Sequence, residues 1–341
     1  MRSRLILFGL GGVVLCIIAL PLLRRTFGPP PAVQEIRQST SVVFPTRFPI
    51  RLTRPGHYRL MSDLVVPGRD TDAIQILTFG VVLDLNGFTI AGPHQGGSGR
   101  GVSTGDIDRG YITVRNGTIR GFGSDGIQLR GLSHRVEDVY TFGNGGDGIE
   151  VGPNSVLIRN LARDNGGSGL NVGRGESLIL SNTAQGNRGH GIDGGGTSWV
   201  SGNLIEDNAG EGLFLTIGSL ATKNVVRRSG RNGLLFGTFV TAEENEVHGS
   251  REAGIMTYGK SNRLIGNTVK ENHGPGAKLG GPDNYVARNR FQGNGATALT
   301  SAADDHLGQD EEANMFLLPS GEQDVAGVAR QDAQPTDGWS R

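Results

Sequence analysis

Eight residues that each stand just before a recurring glycine, Asp125, Asp147, Ser168, His190, Glu211, Asn232, Ala253 and Pro275, fall 21 or 22 positions apart. Stacked as neighbouring strands about 4.8 Å apart, Asp125 and Asp147 would face each other as a carboxylate pair. His190 would follow two repeats beyond Asp147, roughly 10 Å away. Like charges that close raise one pKa and make a shared-proton acid/base pair. Asp125, Asp147 and His190 are therefore the candidate catalytic set. The competing reading is a row of solvated turn residues, since Asp is common in turns.

Three positions further along each repeat stand Gln128, Glu150, Asn171, Asp193 and Phe214, followed by Leu235, Met256 and Lys278. Carboxylates and amides beside an exposed ring suit sugar binding, so the first five are the candidate binding residues. The seven histidines have no recurring ligand spacing and the single cysteine, Cys16, lies in an apolar run, which argues against zinc or copper. No cofactor or metal centre is expected on this basis. Calcium stays open, because Asp125, Asp147 and Glu150 could supply part of an oxygen ligand set.

A polypeptide that places such columns in register must itself repeat. Asn116, Asp138, Asn160, Asn182, Asn203, Asn224, Asn245, Asn267 and Asn289 form one ladder. Gly126, Gly148, Gly169, Gly191, Gly212, Gly233, Gly254 and Gly276 form a second, each followed by Ile or Leu until Ala277. Asn144, Asn165, Asn187, Asn208, Ser229, Ser250, Asn272 and Asn294 form a third. Each repeat offers three short apolar runs between polar or glycine-rich turns, which is one coil of a triangular solenoid. Two residues after the first ladder, Tyr140, Ala162, Ala184, Ile205, Val226, Val247, Val269 and Phe291 read as inward. The next column, Thr141, Arg163, Gln185, Glu206, Arg227, His248, Lys270 and Gln292, reads as outward, an alternation typical of strands. The 57 glycines would ruin long helices and lack the period of collagen.

These repeats, with the entry segments Pro55-Gly-His-Tyr-Arg-Leu60 and Leu83-Asp-Leu-Asn-Gly-Phe-Thr-Ile90, resemble the right-handed parallel β-helix proteins of the pectin-lyase-like superfamily, including its NosD-like members. The resemblance covers about residues 50 to 300. It implies an all-β, single-stranded parallel β-helix of about nine coils. It does not choose among lyases, hydrolases, epimerases, tailspikes, adhesins and accessory proteins. Ser124-Asp-Gly126, Gly146-Asp-Gly148 and Gly189-His-Gly191 resemble the catalytic column of the polygalacturonase branch. Here, however, Gly146 replaces the paired Asp, the Ser168 coil intervenes, and no Arg-Ile-Lys follows His190.

The ends differ from the repeats. Residues 5–23 are an uncharged apolar run bracketed by Arg2, Arg4, Arg24 and Arg25, long enough to span a bilayer and lacking a small-residue cleavage site after it. Residues 1–25 are read as a membrane anchor or signal, 26–47 as a Pro-containing stalk, 48–300 as the β-helix with its cap, and 301–341 as a C-terminal cap and acidic disordered tail. The resemblance places the solenoid in the cell membrane's outer surroundings, periplasmic or extracellular. With 33 basic and 33 acidic residues and no aromatic interleaving, the chain does not suit nucleic acid.

Two function classes follow. One is an anchored envelope module that binds a polysaccharide or another envelope component. The other is a polysaccharide lyase, hydrolase or epimerase using the early-coil carboxylates. The candidate column holds no Arg or Lys to neutralise a uronate, which favours the binding module.

Overall fold

A computed structural model describes residues 32–39, 46–94, 96–295, 297–302, 304–308, 313–317 and 328–331. The polypeptide winds as a parallel β-solenoid. A middle coil consists of Val156–Ile158, Leu161–Arg163 and Leu170–Val172, and the next of Leu178–Leu180, Thr183–Gln185 and Ile192–Asp193. The third strands of successive coils build one stack of thirteen, about twelve turns in all. First and second strands build a broader sheet, in which Thr113–Arg120 and Arg135–Phe142 run through both positions.

Three apolar columns fill the interior. Leu157 pairs with Ile179 and Ile179 with Val200; Ala162 pairs with Ala184 and Ala184 with Ile205; Ile149 pairs with Leu170 and Leu170 with Ile192. All of these side chains are buried. In the first and second strands the flanking residues point outward, whereas in the third strands the flanking residues are buried and the middle one faces solvent.

Most corners repeat one device. A residue in the left-handed region makes the bend, and the residue after it turns a polar side chain inward. In one coil Asn154, Arg159 and Asp164 have φ of 57°, 55° and 53°, and Ser155, Asn160 and Asn165 follow them. The Asn182 Oδ1 accepts the Asn160 backbone N–H (2.9 Å) and one Asn160 Nδ2–H (3.0 Å). The other Asn160 amide hydrogen reaches the Val136 carbonyl at 2.8 Å. Asn165 and Asn187 repeat the pattern at the second corner, and Ser155 and Ser177 carry a hydroxyl version at the third. Buried amides that use every valence this way cost nothing in lost solvation.

Several expectations need correction. The count of about nine coils is too low, because backbone pairing and apolar columns carry the stack through coils without a ladder asparagine. Gln34–Ile36 pairs with Tyr58–Leu60, Arg290–Gln292 with Met315–Leu317, and Leu299–Ala302 with Val328–Gln331, so the stack extends beyond residues 48–300. Asn116 and Asp138 are not ladder residues. They occupy the left-handed bend, with φ of 62° and 54°, and the Val139 N–H donates to Asn160 Oδ1. The side-chain assignment shifts with them: Thr141, not Tyr140, pairs with Ala162 and is 0% exposed. No helix among the described residues is long and apolar enough to cross a membrane, and the run 5–23 lies outside them.

Asn203 Oδ1 accepts the Asn182 N–H (2.8 Å) and an Asn182 amide hydrogen (3.0 Å), while its own amide reaches the Ile179 carbonyl and Asn224 Oδ1. Asn203→Leu is expected to cost roughly 2–4 kcal/mol through buried groups left unpaired. Arg163→Ala, at an exposed position, is expected to stay within about 0.5 kcal/mol. Urea midpoints of the two variants check this; equal midpoints would contradict the corner ladder.

Candidate functional site

The column before the recurring glycine is a fourth ladder. Asp125 Oδ1 accepts the Asp147 N–H (2.7 Å), and Asp147 Oδ1 accepts the Ser168 N–H (2.6 Å). Ser168 Oγ accepts the His190 N–H (3.2 Å), His190 Nδ1 the Glu211 N–H (3.1 Å), and Glu211 Oε2 the Asn232 N–H (2.8 Å). Each side chain therefore caps the coil after it. For His190 this fixes the tautomer: Nδ1 is the acceptor, so the neutral ring carries its proton on Nε2.

Asp125, Asp147 and Glu150 come together, with ligating oxygens within 4.8 Å of one another. Gln128 bridges them, donating from Nε2 to Asp125 Oδ2 (3.2 Å) and Glu150 Oε2 (2.6 Å). Asn171 Nδ2 donates to Asp147 Oδ2 at 2.8 Å. Asp125 is 7% exposed, beneath this cover. Burial, joined by the neighbouring charges of Glu150 and Asp147, pushes its carboxyl up to about 6, against the lowering effect of the Asp147 N–H. The trio could hold a hard cation such as calcium, since its donors are all oxygens and Gln128 adds a buried Oε1 with no partner.

His190 lies two coils beyond Asp147 and belongs to a second group. Its ring packs on Phe214, centroids 5.7 Å apart, and Phe214 in turn faces Tyr258 at 6.4 Å. Asp193 pairs in register with Phe214 across the coil boundary and accepts the Gly195 N–H at Oδ1 (3.1 Å). Burial raises the Asp193 carboxyl above its ordinary value, and the charge of Asp147 adds to this. His190 and Arg174 act against it. Burial also raises the Tyr258 phenol, where Arg174 opposes and Asp193 reinforces the shift. Asp193, Arg174, His190 and Tyr258 thus share one electrostatic environment around the Phe214 ring.

Arg174 and Tyr258 were missed from sequence, as was Arg100, whose Nε stands 3.7 Å from Asp125 Oδ2. The missing cation belongs to the turns and not to the column. The signal was available: Arg174 and Tyr258 are the second and first residues after a third strand, so both reach the same edge of the stack as Asp193. Register carries one column there from Arg130 through Gly152, Gly173, Gly195, Thr216 and Gly237 to Tyr258. Glycine keeps most of it bare. A Cβ on Gly152 or Gly237 would lie 1.7 or 1.8 Å from the carbonyl oxygen of the previous coil.

Comparison with known proteins agrees with the coiled architecture. The family model for the right handed beta helix region matches residues 101–239. No curated protein matches the chain in sequence. Among solved structures, the A-module of the Azotobacter vinelandii mannuronan C-5 epimerase AlgE4 superposes with a TM-score of 0.53 at 13% identity, covering 89% of this chain and 90% of its own. A mutant of the periplasmic alginate epimerase AlgG superposes with a TM-score of 0.54 at 13% identity, covering 82% and 76% respectively. The fold is therefore a right-handed parallel β-helix.

Because the folded Asp125 carboxyl, at about 6, lies above its ordinary 3.8, the folded state holds this proton more tightly than the unfolded chain does. Its stabilising contribution is complete below about pH 4 and is lost as pH rises through about 6. Asp125→Asn keeps the Oδ1 acceptor and removes the buried charge. It is expected to raise stability at pH 7.5 by on the order of 2 kcal/mol, with no gain below pH 4. Urea midpoints from pH 4 to 8 in chelating buffer check this, and parallel profiles would contradict the burial argument.

Proposed function

We propose that the protein binds an anionic, uronate-containing polysaccharide along the outer face of its third-strand stack and moves a proton on one sugar ring. The observation that carries this reading is that His190 and Tyr258 both face the half-buried Phe214 ring, Asp193 lies in register with it, and the charge of Arg174 bears on both Asp193 and Tyr258. The fold is common to proteins named for polysaccharide substrates, and at 13% identity that likeness supplies architecture only. The substrate class rests on the residues.

Removing the proton next to a carboxylate needs a base, a cation to take up the developing charge, and an acid. Asp193 has one oxygen on the Gly195 N–H and a free Oδ2, and its raised affinity for a proton suits it as the base. Arg174 is the cation. Tyr258, held protonated by its raised pKa, is the donor. Its proton either returns to the other face of the ring, inverting it, or goes to the leaving glycosidic oxygen, breaking the chain with a new C=C bond. His190 presents an Nε2–H and orients the acceptor side of the site. Phe214 offers an apolar wall for the sugar.

We place the solenoid in the cell envelope, held by residues 5–23. The support is the length of that apolar run and the arginines bracketing it.

The test is to incubate the full-length protein with mannuronan, alginate and polygalacturonate in D2O, following deuterium at C-5 by NMR and unsaturated ends by absorbance. Asp193→Asn and Tyr258→Phe are each expected to reduce turnover by about 100-fold or more while retention on immobilised polyuronate persists. Undiminished turnover in both variants would overturn the assignment. Retention with no turnover in the unaltered chain would favour a binding module on the same face.

A further inference from the structure

Beside Glu150 and Asn171, at the N-terminal end of the glycine-lined edge, lies a depression of about 700 Å³ that the proton-transfer group does not use. Its size suits one or two sugar rings. Phe79, Arg109, Tyr111, Arg130, Leu132 and Pro153 wall it. These residues come from distant parts of the sequence. The short pairing of Arg109–Gly110 with Gly131–Leu132, outside the two main stacks, holds one rim in place.

The walls have the chemistry of a charged sugar's two faces. Phe79 and Tyr111 are 54% and 66% exposed, although large rings normally gain by burial. Arg109 sits over the Phe79 ring, 5.8 Å from its centroid, and of its terminal nitrogens only Nη1 is engaged among the described residues, donating to the Asp108 carbonyl at 3.2 Å. Arg130 has a weak contact, 3.9 Å to the exposed Asp106. Arg109 and Arg130 are thus two guanidiniums with donors to spare above an apolar wall. The floor is bare because a Cβ on Gly131 would lie 1.7 Å from the Arg109 carbonyl oxygen.

From this arrangement, and resting on the reading of the polyuronate site above, we infer a second sugar subsite that takes a uronate residue of the same polymer. Its carboxylate meets Arg109 and Arg130, and its ring face lies against Tyr111 and Phe79. Continuity fixes the occupant. Glu150 and Asn171 belong both to this depression and to the row that leads through Asp193 to Phe214. Two coils separate Glu150 from Asp193, roughly 10 Å, which is about the length of two pyranose units. The subsite therefore grips the polymer about two residues from the reacting ring. It sets affinity and the minimum length of substrate without touching the proton being moved.

The experiment measures binding by titration calorimetry of full-length protein carrying Asp193→Asn, so that turnover does not confound affinity. Uronate dimers, tetramers and hexamers are compared with neutral hexasaccharides. Tyr111→Ala and Arg109→Gln are then added to this background. Each is expected to weaken hexamer binding by about tenfold, leave dimer binding unchanged and preserve the unfolding midpoint; Tyr111→Phe is expected to restore affinity. In the otherwise unaltered chain, the same changes are expected to raise KM and spare kcat. Hexamer affinity unmoved by either change, in a chain that still turns over polyuronate, would overturn the subsite and leave the proton-transfer site standing. An equal loss for neutral hexasaccharides would overturn the assignment of a uronate. Failure of the parent protein to bind or turn over any uronate oligomer would overturn the underlying reading as well.

Discussion

The interaction on which everything else depends is the hydrogen bond passed from coil to coil by a polar side chain turned inward at a corner. A chain that reverses direction three times per 21 or 22 residues exposes many backbone donors and acceptors to an apolar interior, where each unpaired group costs about 1–3 kcal/mol. The bend residue and the ladder residue solve this together. Arg159, Ser181, Lys223 and Glu244 accept left-handed backbone angles that side chains usually avoid, and Gly202 and Gly266 occupy the same place without strain. The asparagine that follows satisfies its own coil and both neighbours. Long charged side chains at the bend also gain partners one coil away, as with Arg159 on Asp138 and Arg228 on Asp207. Exposed as they are, such pairs add little to stability.

The same logic separates structural from chemical roles in the acidic column. A side chain recruited as a ladder cap loses one acceptor to the backbone and most of its freedom to move. Asp125 is the extreme case: both oxygens have partners, and Gln128 and Glu150 cover it. The groups left available for chemistry are those whose second atom faces outward. His190 keeps Nε2, and Asp193, on the outward row, keeps one oxygen. Rigid capping is also an advantage, because a group held by a neighbouring coil cannot drift from its partners, and positioning to within a fraction of an ångström is what proton transfer rewards.

The period and the apolar columns made the solenoid and its strand pairing legible in the sequence from Asn160 onward. Legibility failed where one residue could play two parts. Asn116 and Asp138 keep the period of the ladder but are bend residues, because asparagine and aspartate suit both positions, and only the registers Gly117 to Val139 and Thr141 to Ala162 distinguish them. Asp125, Asp147 and His190 were found because they share a column; the structure divides them between an acidic cluster and an aromatic group two coils on. Arg174 and Tyr258 could not be found that way. Their columns hold mostly glycine, so neither residue recurs, and a search for periodic chemistry passes over the positions where the period is broken.

A perfectly periodic solenoid presents the same surface at every coil and has no means of choosing one sugar along a polymer. Function requires a departure from the repeat, and departures are tolerated only where they do not break the ladders. The outward row of the third strands meets this condition, since Gln128, Glu150, Asn171, Asp193 and Phe214 differ freely while Ile127, Ile149, Leu170, Ile192 and Leu213 beneath them hold the register. The edge just beyond the strands meets it too. Glycine at most of its positions permits close coil spacing, and the few exceptions, Arg130 at one end and Tyr258 at the other, stand out against a bare track. The two kinds of departure lie side by side over the same coils. Together they make an asymmetric track, with amides and carboxylates along one side and isolated cationic and aromatic groups along the other, and on the proposed reading this asymmetry would give a bound polymer a direction.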